Sequence, residues 1–166
     1  MCNIVKGFMS VALRGKTMKI IMCTLLLVFL LSCSANNFAK DFLTFQLRLA
    51  ESEPDSNLKK MNFYNSDLQF FVYDSVFLTN KNITSAEVID RHTRPKIKVT
   101  LNEEGRKNFA DFTLKNIGKN AAIIVDGKLV SAPKINDQIT QGMLIIVGFF
   151  DQKEAQQIAR AILPKD

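Results

Sequence analysis

Few side chains in this sequence of 166 residues are able to do covalent or metal chemistry. The cysteines are Cys2, Cys23 and Cys33, so no cysteine follows position 33. A disulfide framework, a thiolate nucleophile and a thiolate metal site are therefore excluded from the rest of the chain. The single histidine, His92, stands among arginines in a predicted turn, and nearby cations disfavour its protonated form. We interpret His92 as an exposed turn residue.

The acidic and hydroxyl side chains form no better catalytic pattern. Glu103 and Glu104 are neighbours on a predicted helix, so their side chains diverge by about 100° and serve the helix dipole. Asp126 precedes Gly127 and is explained by turn chemistry, while Ser131 lies in no nucleophile-elbow motif. No glycine-rich loop suits a phosphate. We predict that the protein is not an enzyme and has no catalytic, cofactor-binding or metal-binding residues.

An apolar run precedes the last cysteine. It extends from Ile20 to Leu31, and as a helix it would cover only ~18 Å, whereas a bilayer core of ~30 Å needs about 20 apolar residues. With Lys19 on its amino side, the run has the layout of a signal peptide. We predict a signal peptide over residues 1–32. Met18 is an alternative start, because the segment that begins there is a complete signal.

The end of the apolar run points to lipid chemistry. Leu30-Leu31-Ser32-Cys33 resembles the lipobox of bacterial lipoproteins, although Leu31 is less usual at its position. The motif predicts cleavage between Ser32 and Cys33 and attachment of a diacylglycerol to the Cys33 thiol by a thioether bond, with palmitate as a label for the acyl chains. Each buried methylene adds ~0.8 kcal/mol of membrane affinity, so several acyl chains anchor a protein firmly. An ordinary secretory signal and an uncleaved anchor helix are the alternatives.

The leader also predicts where the protein works. We expect residues 33–41 to form a tether, and the domain that follows to lie on the periplasmic or extracytoplasmic side of the cell envelope. The commonest sorting rule retains lipoproteins with aspartate after the cysteine in the inner membrane. Ser34 in that position favours the outer membrane, but the choice between inner and outer membrane stays open.

The net charge of +6 comes mostly from the leader. Residues 1–32 contain Lys6, Arg14, Lys16 and Lys19 and no acid. Taking these four from the total of 22 leaves 18 basic and 16 acidic side chains, a net charge of +2 over residues 33–166. A domain with so small an excess has no electrostatic footprint for a phosphate backbone. We therefore predict no nucleic-acid partner.

The first part of the domain reads as strands and loops. Apolar and polar residues alternate from Leu43 to Leu49, which predicts a half-buried strand. Residues 51–57 are rich in turn formers, and we interpret Lys59-Lys60 as a solvated corner. The aromatic run from Leu68 to Leu78 predicts one or two short strands. We expect a helical turn over Ile83–Ala86.

The second part contains hairpins and two helices. Five further elements are predicted. They are a hairpin with arms Ala86–Arg91 and Lys96–Leu101, a helix over Asn102–Lys119, a hairpin over Ala121–Pro133 with its turn at Asp126-Gly127, a buried strand Met143–Phe150 and a helix that begins at Asp151. Asn102 caps the first of these helices, whose stripe is Phe109, Phe112, Thr113, Asn116 and Ile117. Gly105 inside the first turns of the helix suggests close packing there, or a tilt at the start of the helix.

Strands and helices in this order predict an α+β fold. Short hairpin loops favour a mainly antiparallel sheet, with two helices packed against it. Residues 42–166 are enough to bury a single core. We therefore predict one α+β domain over residues 42–166.

Four segments of the sequence together resemble a known family. They are VFLTNKNITSAEV, VTLNEEGRKNFADFTLKNIGK, AAIIVDGKLVSAPKINDQITQGMLIIVGFF and DQKEAQQIARAIL. From about Tyr73 to Leu163 the chain is similar to the head subdomain of the first periplasmic domain of SecD and SecDF, accessory subunits of the bacterial protein-export channel. The segment DGKLVSAPKI is the most specific part.

The resemblance implies a module of protein export. In that family the α+β head is thought to touch preproteins outside the membrane and to change orientation, driven by proton movement through transmembrane helices. No apolar run of spanning length follows Cys33, so the resemblance implies the head without the motor. The implied partners are unfolded or secreted polypeptides, or the export machinery.

Two functions are compatible with these observations. The domain binds extended polypeptide at the membrane surface, for which an unpaired strand edge would serve by strand addition. Alternatively, it is a structural envelope lipoprotein that docks on a protein assembly. Exposed and core apolar residues look alike in the sequence, so no residue of a binding surface is predicted.

The lipid anchor is directly testable. We expect cells that produce this chain to incorporate radiolabelled palmitate into it, and the Cys33→Ala variant to lose the label, because the thiol is the acylated group. Labelling that survives the substitution would rule out Cys33 as the attachment site.

Overall fold

The computed structural model describes residues 42–89 and 94–165. The predicted leader and tether, with Ser32 and Cys33, and the turn residue His92 lie outside these ranges. The described helices and strands follow one another in this order: β1 (Phe45–Glu51), β2 (Lys59–Asn62), β3 (Gln69–Thr79), a short 3₁₀ helix (Asn80–Asn82), β4 (Ile83–Ile89), β5 (Lys96–Leu101), α1 (Glu103–Lys115), β6 (Asn120–Val125), β7 (Lys128–Ser131), β8 (Met143–Val147) and α2 (Gln152–Ala161).

The strands form two antiparallel sheets. Five strands lie in the order β2-β3-β1-β6-β7, and three lie in the order β4-β5-β8. Both helices contribute to the core that the two sheets share. The predicted α+β class with antiparallel strands and two helices is therefore confirmed. The sequence predicted one sheet, whereas the 3₁₀ helix after β3 carries the chain from one sheet into a second.

Strand β1 lies in the middle of the larger sheet and supplies much of the core. Leu43, Phe45, Leu47 and Leu49 are all buried, as their alternation predicted. The strand itself begins two residues later than expected, at Phe45. The backbone N–H of Leu43 instead donates to the carbonyl of Ala161 at 2.8 Å, because the end of α2 lies beside the start of β1.

The larger sheet curls until its two edges meet. A parallel bridge joins Phe63, just beyond β2, to Leu129 in β7, and the amide of Tyr64 donates to the carbonyl of Leu129 at 2.7 Å. The curl encloses a second, smaller core on the other face of the sheet. Its buried members are Ala50, Val72, Ala122, Ile124 and Leu129. Strand β6 is therefore apolar on both faces, with Ala121, Ile123 and Val125 in the main core.

Both predicted helix starts are confirmed. The side chain of Asn102 accepts a hydrogen bond from the amide of Gly105 at 2.8 Å, and Asp151 forms a capping box with Glu154 ahead of α2. Gly105 is also closely packed, since a Cβ atom there would lie 2.8 Å from the Cβ of Asn82. Among the described helices, none combines the length and apolar content needed to cross a bilayer.

The predicted hairpins are present. Asp126 and Gly127 have φ values of 48° and 77° between β6 and β7, as a type I′ turn requires. Strands β4 and β5 pair in antiparallel register.

Three local predictions are wrong. Residues Ile83–Ala86 belong to strand β4, and the helical turn lies just before them, at Asn80–Asn82. Lys59-Lys60 is exposed but lies in strand β2. Ile117 is 53% exposed, because α1 ends at Lys115 before the predicted stripe is complete.

Strand β8 also differs from the prediction of a buried strand. It covers Met143–Val147, and its side chains alternate between exposed and buried. The reason is that only one face of the three-stranded sheet packs on the core, while the other meets solvent.

The carboxamide of Asn80 connects three segments. Its Oδ1 accepts from the amide of Phe45 at 2.8 Å, and its Nδ2 donates to the carbonyls of Leu43 and Ile162 at 2.9 Å and 2.8 Å. The amide of Phe45 and the carbonyl of Leu43 lie at the start of β1, and the carbonyl of Ile162 lies at the end of α2. The side chain therefore holds the beginning and the end of the domain to the end of β3.

We expect Asn80→Ala to lower the free energy of unfolding by about 2–4 kcal/mol, since it leaves several partly buried backbone groups without a partner. Asn57→Ala is the matched control, because Asn57 is exposed and its side chain makes no hydrogen bond among the described residues. Urea unfolding measures both variants. Equal stability of the two would contradict the proposed role of the Asn80 carboxamide.

Candidate polypeptide-binding edge

The second half of strand β3 forms an open edge. Strand β2 has four residues and pairs only with Gln69–Val72 of β3, which has 11 residues. On the other side, β3 pairs with β1 as far as Thr79. Within the described residues, no strand therefore covers the outer side of Tyr73–Thr79. Such an edge presents backbone N–H and C=O groups to an incoming chain.

A bulge interrupts this edge. Arg48 of β1 is opposite Val76 and Ala50 is opposite Val72, so β3 has extra residues between these two pairs. The guanidinium of Arg48 lies at the bulge, with Nη1 3.5 Å from the carbonyl oxygen of Tyr73 and 3.7 Å from a carboxylate oxygen of Asp74. Bulges twist an edge and are enriched at functional sites. A second register shift leaves Phe77 without a partner on β1, because Leu47 is opposite Leu78 and Arg48 is opposite Val76. The bulge and this shift limit how far another strand could pair along β3.

A polar cluster holds the end of the bulge at Tyr73. The hydroxyl of Tyr73 donates to Oε1 of Glu51 at 3.3 Å, and the ammonium of Lys119 lies 2.8 Å from the same oxygen. The Lys119 ammonium is also 5.6 Å from the centre of the Tyr73 ring. The hydrogen bond to Glu51 raises the pKa of Lys119 above its ordinary 10.5.

Beside the open edge lies a groove of about 280 Å³ against helix α1. Its apolar part contains Val76 and Phe77, which are 40% and 38% exposed, and the ring of Phe112. The Phe77 and Phe112 rings pack at 4.5 Å between centres. The polar lining comes from α1 and its end: Asn108, Asp111, Lys115 and Asn116.

These features suit the binding of an extended chain. The edge offers backbone hydrogen bonds, and the groove offers apolar contact for alternate side chains. The lining is a mixture of amide, one acid and one base, without a cluster that would activate a nucleophile. In the described part of the chain, no group of three or more His, Cys, Asp or Glu side chains is arranged to hold a metal ion.

A larger hollow of about 530 Å³ is a weaker candidate. It lies between β2 and the turn before β7, and its charged lining residues are Lys59, Lys60 and Lys128. The parallel bridge from Phe63 to Leu129 crosses this region, so the two strand edges already bond to each other. The hollow therefore offers less unpaired backbone than the edge of β3.

None of these groove residues was predicted to belong to a binding surface, and Phe112 and Asn116 were expected only in the stripe of the helix. One signal was present: Asp74 and Ser75 interrupt an aromatic strand, and the consecutive Val76 and Phe77 break its alternation. Such a break is typical of a bulge, but it does not reveal which side of the strand lacks a partner. The predicted lipid-attachment residue Cys33 lies outside the described residues.

The comparison with protein families decides what this domain is. The family model for the SecDF P1 head subdomain matches residues 56–163, which include β2, the open edge and the groove. The chain belongs to the SecDF P1 head family. The match begins upstream of the segment from Tyr73 that suggested the resemblance.

Protein relatives agree with the P1 head assignment. The chain is 45% identical over 83 residues to the protein translocase subunit SecD of Dictyoglomus turgidum, covering 49% of this chain and 21% of SecD. It is 40% identical over 83 residues to the protein translocase subunit SecDF of Thermus thermophilus, covering 49% of this chain and 11% of SecDF. The chain thus spans about a fifth or less of these relatives.

Solved structures share the P1 head fold. One belongs to SecDF, a membrane component that enhances protein export; it aligns with a TM-score of 0.60 at 22% identity, over 77% of this chain and 65% of that one. SecDF in its super-membrane-facing form also aligns with a TM-score of 0.60, at 23% identity, over 76% of this chain and 19% of that one.

Because of the Lys119 interaction, we expect the P1 head to lose stability at alkaline pH. A pKa raised in the folded state stabilises the fold below the ordinary pKa of 10.5, and this contribution is lost as the pH rises above it. We expect Lys119→Met to have a lower thermal midpoint than the parent at about pH 8, and the gap to close towards about pH 12.

Lys107→Met is the control for this pH series, since Lys107 is an exposed lysine of α1 without an ion pair among the described residues. Its gap from the parent should stay small at every pH. A gap for Lys119→Met that is constant with pH would show that the ammonium–carboxylate pair does not stabilise the bulge.

Proposed function

We propose that this protein is a lipid-anchored, extracytoplasmic P1 head that binds extended polypeptide during protein export. The observation that carries the proposal is the open edge of β3 at Tyr73–Thr79 beside the apolar groove. Membership of the P1 head family supports a role connected with export, because the matched relatives are protein translocase subunits. The proposed role is binding and not catalysis.

Strand addition explains why such an edge suits export. A polypeptide that crosses a membrane is extended and has unpaired backbone groups, whatever its sequence. Main-chain hydrogen bonds supply affinity without sequence preference, and shallow apolar contacts favour segments with alternating apolar side chains. Val76 and Phe77 offer this contact while Phe112 keeps the Phe77 ring in place.

The bulge gives the edge a second property. A long and flat edge would also pair with other copies of the same strand and aggregate. The bulge that Arg48 contacts interrupts regular pairing, and so does the exposed carboxylate of Asp74. Only a short stretch around Val76 and Phe77 is then available, so we infer weak and reversible capture.

The anchor in this proposal is the acylated Cys33. Fatty chains there would keep the head at the outer side of a membrane, where emerging chains are first accessible. The proposal includes no proton-driven motor in this chain: the head would bind clients and release them without a supply of energy of its own.

The test is a charge placed on the open edge. We expect Val76→Lys to weaken binding of an unfolded, reduced reporter protein by about tenfold or more, equivalent to about 1.4 kcal/mol, because the ammonium must be desolvated when a strand is added. Fluorescence anisotropy with a labelled reporter at micromolar concentrations measures the affinity.

Leu68→Lys is the matched control, because Leu68 is 57% exposed at the start of β3 and does not line the groove. It should bind the reporter as the parent does, and both variants should keep the parent thermal midpoint. Equal binding by the parent and Val76→Lys would remove the open edge as the site. Absence of binding by the parent would remove the client-binding function altogether.

A further inference from the structure

The groove beside the open edge has a second wall, which helix α1 forms. The side chains of this wall include Asn108, Asp111 and Lys115. Because they are spaced three and four residues apart, they lie along one face of the helix, with ~5–6 Å between neighbouring Cβ atoms. An extended chain in the groove would therefore contact β3 on one side and this row on the other.

An added strand leaves half of its own main chain unpaired. Every second residue of the strand bonds to the open edge of β3, whereas the residues between direct their N–H and C=O groups the opposite way. In the groove these groups face α1 instead of another strand. Backbone groups that lose water without gaining a partner cost free energy, so the α1 wall affects how tightly a chain is held.

Asn108 is the residue of this wall that suits such groups. A carboxamide both donates and accepts, whereas a carboxylate only accepts and an ammonium only donates. The Asn108 carboxamide makes no hydrogen bond with any residue that the structure describes. The carboxamide of Asn116 is less available, because its Nδ2 already donates to the carbonyl of Phe112 at 2.8 Å.

The position of Asn108 in the helix has no local explanation. It lies in the middle of α1, where Asn is less favourable than Ala because its side chain competes with the helix backbone for hydrogen bonds. At the helix start the same residue type is useful, as the cap formed by Asn102 shows. Asn108 is exposed and too far from either helix end to act as a cap. Residues that break a local preference without a structural gain are typical of functional sites.

We propose that the Asn108 carboxamide clamps the main chain of the bound polypeptide from the α1 side. Its Nδ2 donates to a client carbonyl, and its Oδ1 accepts from a client amide. The client is thus held by two sets of main-chain hydrogen bonds, one from β3 and one from Asn108, and neither set depends on the side chains of the client. This inference rests on the proposed function and adds a residue to its site.

Removal of the carboxamide tests the clamp. The purified full chain is titrated against two unfolded reporters of opposite net charge, reduced and alkylated α-lactalbumin and reduced and alkylated ribonuclease A, each labelled for fluorescence anisotropy. We expect Asn108→Ala to weaken binding by about three- to tenfold, and by the same factor for both reporters. The thermal midpoint should stay at the parent value or rise, because Ala is the better helix former.

Gln156→Ala is the matched control. Gln156 is an exposed residue of α2, its carboxamide makes no hydrogen bond within the described part of the chain, and it does not line the groove. The control variant loses the same chemical group elsewhere and should bind both reporters as the parent does. An equal loss of affinity in Gln156→Ala and Asn108→Ala would overturn the clamp.

The remaining outcomes separate the clamp from the proposed function. A parent chain that binds neither reporter overturns both. A parent chain that binds, together with unchanged affinity of Asn108→Ala, overturns the clamp alone. Unequal losses for the acidic and the basic reporter would assign Asn108 to a client side chain and overturn main-chain recognition. A lowered thermal midpoint of Asn108→Ala would show that Asn108 supports the fold itself, and would also overturn the proposal.

Discussion

The carboxamide of Asn80 is the interaction on which the arrangement of the domain depends. It bonds to the start of β1 and to the end of α2 from the residue that follows β3. Because β1 is the central strand of the larger sheet, fixing its start aligns β3 on one side and β6 on the other. The same contact places α2 where its apolar face closes the main core. A small domain without a disulfide among its described residues therefore joins its two ends through this side chain and through the hydrogen bond from the Leu43 amide to the Ala161 carbonyl.

The length difference between β2 and β3 determines where the larger sheet has an open edge. A β2 that began before Lys59 would have continued the pairing along β3, because Lys59 is opposite Val72 and Tyr73–Thr79 lies beyond that pair. The resulting edge is not left flat. Arg48 and the Glu51–Tyr73–Lys119 cluster hold a bulge in it, and helix α1 supplies one wall of the groove. In the proposed function, the open edge and its protection from aggregation would both depend on this local irregularity.

Local patterns in the sequence predicted the parts of the fold that depend on neighbours along the chain. Asn102 and Asp151 cap helices, Asp126-Gly127 forms a tight turn, and alternation from Leu43 to Leu49 marks a strand, because each depends on a few adjacent residues. Predictions failed where distant residues decide. Ile83–Ala86 is a strand because β5 pairs with it, and alternate side chains of β8 are exposed because only one face of its sheet packs on the core. The binding edge could not be predicted at all, since an unpaired strand has the same composition as a paired one.

The sequence by itself determined the family, the α+β class, the capped helix starts and the paucity of catalytic groups; its leader predicts an acylated cysteine at position 33. These features are written in residue types and short spacings. Tertiary structure alone decided that the strands divide into two sheets and that the larger sheet curls until its two edges meet. It also decided that Val76 and Phe77 line a groove, whereas the next residue, Leu78, is buried in the core. The physical reason is that pairing and burial are relations between segments far apart in the chain, and the same apolar side chain serves equally well inside a core or at an open edge.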